Sequence, residues 1–340
     1  FFPNSEGNLG HDFEQFVPNL MFGKIWFQKH FLSIPWFTPS FCCGIPFYAD
    51  PQSTFYSIYQ IIFILFDPIY SIKIIFFLLS FFSYFGMFIL IKKFGFNKYT
   101  SLLCASLFLF NGFFVYRSII GHVAYLSYIF IPLYCFFLIK SYEKLSFKNY
   151  IFYLLLSSII FANFFHSGSG PIILIIFTSI FFVISFYAYF KNTLKIFSNF
   201  FISLFFRFLI SLSKIVSSLF LLSNFPREYT QTEFNSFSEY LINFFYSFFL
   251  EADEKYFNDS LTSMISFGKH EMEYSLSIVP IISLFLIVLL DKKLLKINLK
   301  RIFFFALLAI IFFIPIYFNI NFLNQYTFNS QIPIIKSTWV

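Results

Sequence analysis

Two short acidic stretches hold the side chains best suited to chemistry: Gly10-His11-Asp12-Phe13-Glu14-Gln15-Phe16, and Gly44-Ile45-Pro46-Phe47-Tyr48-Ala49-Asp50-Pro51-Gln52-Ser53. A carboxylate placed beside water can take a proton from a hydroxyl, and a guanidinium or imidazole beside it can hold an anion. Arg117 and His122, five residues apart, supply such cations, with Lys24, Lys29 and Arg227 as further ones. Each residue also has a plainer reading. Asp12 can cap the helix that follows it, and Arg117 can reach toward lipid headgroups. Glu14 faces away from Asp12 on a helix and lies alongside it on a strand. It therefore either shares a metal with Asp12 or is solvated. Asp50, standing before Pro51, reads first as a turn former. His166, close to Gly168 and Gly170, either lines a cleft or ends a helix.

These groups have to be positioned by a chain that is 59% hydrophobic and only 11% charged. That exceeds what a soluble core can hide, and the apolar residues fall in runs near 20 long. The fold class is all-α, a polytopic transmembrane bundle. With 63 Phe in the chain, phenylalanine serves as the general hydrophobe. The four cysteines, at 42, 43, 104 and 135, form neither a disulfide framework nor a metal site.

Residues 1–67 read as an outer segment. Its part from 17 to 30 forms a helix on the membrane surface, anchored by Lys24, Trp26 and Lys29. Residues 31–53, with five Pro or Gly breakers, form an ordered loop, and 54–66 is too short to cross. Spans are expected at 68–91, 99–116, 123–140, 150–165, 171–190, 196–222, 276–290 and 302–318. An outer loop covers 223–275, and 319–340 begins another. The chain reads as one transmembrane domain of 340 residues, with further spans expected before and after it.

Thirteen of the 23 basic residues fall in four short connections, at 92–98, 140–148, 191–195 and 292–301. The positive-inside rule assigns those to the cytoplasm. All but two of the 16 acidic residues, and all five histidines, then lie outside. The functional face is therefore expected to be extracytoplasmic. Arg207 and Lys214 stand apart from this pattern, seven residues apart on one face of an apolar run. Charge inside a membrane points to function, although Ser211 and Ser213 beside Lys214 can instead mark a helix break that lets it reach water.

The outer loop with Asp12, the Pro35-Trp36 pair, Gly44-Ile-Pro-Phe-Tyr-Ala-Asp-Pro-Gln-Ser53, Gly121-His122 after a span, Glu273-Tyr274 before Pro280, and Ile332-Pro333-Ile-Ile-Lys336-Ser-Thr-Trp339 together resemble the YfhO-like membrane proteins of the GT-C glycosyltransferase superfamily. The pattern departs at His166-Ser167-Gly168, where Gly-His-Pro is expected, and Asp50 stands where Asn is common. The resemblance implies a transferase in a bacterial cytoplasmic membrane with its active face outside. It would take a sugar from a polyprenyl-phosphate donor to an extracytoplasmic glycan, lipid or protein, with membrane lipid but no nucleic acid as partner. Asp12 matches the catalytic acid of such folds. Glu14, Asp50, Arg117, His122, His166, Arg207, Lys214 and Glu273 are the candidate substrate-binding residues, Glu273 for sugar hydroxyls. No cofactor is specified, and a divalent metal ion stays open because no spaced ligand set stands out.

Two other readings share the composition. A lipid-linked saccharide polymerase or ligase also works outside, and places its key Arg residues in a large late loop. A transporter or flippase also carries intramembrane cations, but shows matched repeats that are absent from this sequence.

Overall fold

The computed structural model describes residues 12–41, 43–143, 146–191, 195–225 and the single residue 282. The spans expected at 276–290 and 302–318, with Arg227 and Glu273, lie outside the described residues. Those described are mostly helical and contain no strand, only an isolated bridge between Thr38 and Ile45. The described residues form nine α-helices in order: α1 Phe13–His30, α2 Ile58–Leu65, α3 Pro68–Phe94, α4 Lys98–Leu109, α5 Gly112–Ile120, α6 Ile131–Tyr142, α7 Phe147–His166, α8 Ile173–Phe190 and α9 Lys195–Asn224.

Among the described residues, five helical stretches are long and apolar enough to cross a membrane: Pro68–Phe94, Lys98–Ile120, Val123–Tyr142, Phe147–His166 and Arg207–Asn224. The chain is on that ground an integral, multi-pass membrane protein. α3 shows how such a stretch is built. Pro68 opens it where a missing N–H costs nothing, Gly95 closes it in the left-handed region, and its 27 residues extend about 40 Å. One of its faces carries Ile72, Ile75 and Leu79 into the core, while Phe77, Phe81 and Phe85, each four residues on, stay exposed as a lipid-facing stripe.

Local signals account for the departures from the expected spans. The span placed at 99–116 is two helices, because Asn111 caps α5 by accepting from the Phe114 N–H at 2.9 Å. Arg117 is therefore in the last turn of α5 rather than in an open loop. The next span starts as a 3-10 helix, Val123–Phe130, before Pro132 opens α6. The apolar part of α8, Ile173–Tyr189, is shorter than a full span. α9 runs unbroken through Ser211–Lys214, so the helix break that would free Lys214 is absent.

Three of the four basic connections meet at one end of the bundle, the fourth, at 292–301, lying outside the described residues. Glu143 Oε1 pairs with Lys93, and its other oxygen with Lys140 at 3.0 Å. Phe94 packs on Phe186 and Tyr187, which brings the end of α8 to the same place. α1, the loop after it and the turns at 121–122 and 167–170 gather away from that end. There Gly121, at φ +98°, lies against Phe13, and a Cβ at that position would come 2.8 Å from the Phe13 nitrogen. Gly168, at φ +81°, lies as close to the Gln52 carbonyl, which a Cβ there would strike. Only glycine permits both the left-handed turn and the approach. The loop at Pro51–Gln52 and the start of α1 are thereby pinned over the helix ends.

Candidate functional site

Asp12 precedes α1, and its main-chain carbonyl accepts from the Gln15 and Phe16 N–H groups at 3.2 and 2.9 Å. Its side chain makes no capping bond, so the plainer reading of Asp12 as a helix cap does not hold. The carboxylate instead pairs with His122 Nε2 across the Gly121 turn. On the other side of the ring, Arg117 Nη1 lies 2.8 Å from His122 Nδ1.

The chemistry of the donors fixes the proton. Arginine has no acceptor, so Nδ1 receives that bond and the neutral ring carries its hydrogen on Nε2, aimed at Asp12. The three groups form a line, carboxylate, neutral imidazole, guanidinium, whose charges balance. His122 also stacks on Tyr125, with ring centroids 5.3 Å apart and planes 24° apart.

Arg117 does not reach out to grip an anion in bidentate fashion, nor toward lipid. It is only 3% exposed, and its guanidinium lies 4.5 Å from the Phe113 ring centre and 4.4 Å from that of Tyr125. Its place is behind His122, where it holds the imidazole in one tautomer and orientation.

A half-open cleft of about 60 Å³ lies in front of this line. Asp12, Gln15, Asn19, Gln52, His122 and Tyr125 line it. Gln15, Asn19, Gln52 and Tyr125 were not among the sequence candidates. Gln15 and Asn19 follow Asp12 by three and seven residues, a helical spacing that put them on its face and was legible in principle. Gln52 enters because Asp50 Oδ1 accepts its backbone N–H at 2.9 Å. Asp50 is thus the turn former, and it is Gln52 rather than Asp50 that faces the cleft.

The remaining candidates go elsewhere. Glu14 lies in a helix, not a strand, and is exposed away from Asp12. His166 is buried at the end of α7, edge-on to Tyr56 with centroids 5.8 Å apart, and does not line the cleft. Among the described residues, no group of three His, Cys, Asp or Glu side chains stands where it could hold a metal ion.

Arg207 and Lys214 form a second polar region on the inward face of α9. Arg207 donates from Nη1 to the Tyr134 hydroxyl and from Nη2 to Ser157 Oγ, both at 2.7 Å, and is wholly buried. Lys214 donates to the main-chain carbonyls of Tyr48 and Asp50 at 2.7 and 2.6 Å. Ser213, its neighbour, bonds the Tyr48 hydroxyl at 2.9 Å. Burial pushes the Tyr48 phenol above its ordinary range, against a smaller opposing pull from Ser213. Lys214 thus ties the loop that carries Asp50 and Gln52 to α9.

No protein-family model matches the chain, and no curated protein or solved structure matches it significantly.

Proposed function

We propose that this protein is a membrane glycosyltransferase of the GT-C type, which moves a sugar from a polyprenyl-phosphate donor to an acceptor outside a bacterial cytoplasmic membrane. The observation that supports this most is the meeting of Asp12 with His122 and Arg117, from segments more than 100 residues apart, at a cleft remote from the basic connections. With those connections in the cytoplasm, the cleft opens on the outer face.

In this reading Asp12 is the general base. Its carboxylate takes the proton of the acceptor hydroxyl as that oxygen bonds to the anomeric carbon. The bond from the anomeric carbon to the phosphate oxygen breaks, and its electron pair leaves with the lipid phosphate. As Asp12 loses its charge, the Nε2–H of His122 turns its hydrogen bond from Asp12 to the departing phosphate oxygen, the proton staying on the ring, while Arg117 keeps the imidazole in place and offsets developing negative charge.

The test uses the full-length protein in liposomes supplied with a radiolabelled polyprenyl-phosphate sugar and an outer-membrane-face acceptor extract. Wild type transfers label, and Asp12→Asn at equal abundance loses at least about 100-fold of the rate. Transfer that is unchanged in Asp12→Asn removes this residue from catalysis and the proposal with it.

A further inference from the structure

Three carboxamides line the same cleft as His122. Gln15 and Asn19 come from α1, four residues apart on one face, and Gln52 from the turn that Gly168 and Lys214 pin down. None of the three side chains has a hydrogen-bond partner among the described residues. For Asn19 this is costly, because Oδ1 is removed from solvent without a partner. A buried amide oxygen left unpaired destabilises a protein. Well-packed interiors rarely keep such a group; Gln15, which is exposed, and Gln52, which is half-buried, bring the same chemistry to the same opening.

A carboxamide offers a donor and an acceptor side by side and carries no charge. Its best match is a group that also donates and accepts, and a ring of hydroxyls presents several. A phosphate, with acceptors only, would leave the amide oxygens unmet. The cleft volume admits the edge of one ring rather than a chain of them.

We infer that Gln15, Asn19 and Gln52 form a subsite that reads the hydroxyls of the transferred sugar, beside the base Asp12. The inference rests on the donor being a lipid phosphate that carries a sugar. It adds which residues tell that sugar from a bare lipid phosphate, and so which would set sugar preference.

The experiment separates the two. Detergent-purified full-length protein is titrated with citronellyl phosphate and with its glucosyl, mannosyl and galactosyl phosphodiesters, and binding is read from thermal midpoints. In wild type at least one sugar-bearing probe binds about tenfold more tightly than the bare phosphate, the effect of one or two hydrogen bonds. Asn19→Leu reduces that probe's affinity to that of the bare phosphate, and raises the ligand-free midpoint because the unpaired amide is gone. Gln52→Ala reduces the sugar preference as well, independently of α1.

Equal wild-type affinity for bare and sugar-bearing probes overturns the subsite and leaves the phosphate reading standing. Binding of no probe at all removes both. Retention of the preference in Asn19→Leu and Gln52→Ala, or a lowered ligand-free midpoint in Asn19→Leu, assigns the amides to structure and overturns the inference.

Discussion

The chain buries cations in two places and treats them in opposite ways. At the cleft, the Arg117 charge is answered by a carboxylate, relayed through His122, and the carboxylate end is about a third exposed. On α9, Arg207 and Lys214 donate to neutral oxygens, a phenol, a serine hydroxyl and two main-chain carbonyls, and the Asp50 carboxylate acts on Lys214 only from beyond bonding distance. The first arrangement keeps a carboxylate partly exposed at the mouth of a cleft. The second spends its donors on holding helices and a loop together. Charge inside a membrane is therefore not by itself a substrate site; what matters is whether its partners are already satisfied by the fold.

This contrast can be broken at several points. The largest effect is expected from Asp12→Asn, with at least about 100-fold loss of transfer but a stability change within about 1 kcal/mol, since its ion pair is partly exposed. Unfolding in detergent and transfer per folded molecule read the two quantities. Arg207→Ala should show the reverse, a loss of about 3 kcal/mol in stability from the cavity and the unpaired Tyr134 and Ser157 hydroxyls, with transfer per folded molecule retained. Gly121→Ala falls between them. Its left-handed backbone and the contact with Phe13 predict a loss of about 1–3 kcal/mol. Because Phe13 follows Asp12, this variant also separates the carboxylate from His122 and lowers transfer. Tyr134→Phe is the mildest, about 1 kcal/mol from one lost bond to Arg207, measured by the same unfolding and with no effect on transfer.

Much of the membrane architecture was legible in apolar run length, because a helix in lipid has to satisfy its own backbone and so needs a long uniform stretch. α3 and α7 fall within a few residues of their expected bounds. The interruption at Phe110–Asn111 was missed because Asn111 acts through a cap, a bond of one side chain to a backbone N–H three residues on, inside an otherwise apolar run. At the site, the residue types were readable but their meeting was not. Asp12 reaches His122 only because Gly121 lets Phe13 approach, and a glycine in sequence does not say what it approaches. Lys214 was least legible of all, since its partners are main-chain carbonyls, which every residue has and no side chain advertises. The amides at 15 and 19 had a signal in their helical spacing from Asp12, but neutral side chains drew less weight than charged ones, and Gln52, placed by the Asp50 turn, had none.

The central claim is that Asp12 and His122 act as one unit. Transfer rates per folded molecule for Asp12→Asn, His122→Gln and the double variant test it most directly. A single unit predicts that the double variant is slower than Asp12→Asn by much less than the loss in His122→Gln alone, because the imidazole turns its hydrogen to the phosphate only as Asp12 takes up a proton. Two losses that multiply would mean that the residues contribute independently, and would contradict the account.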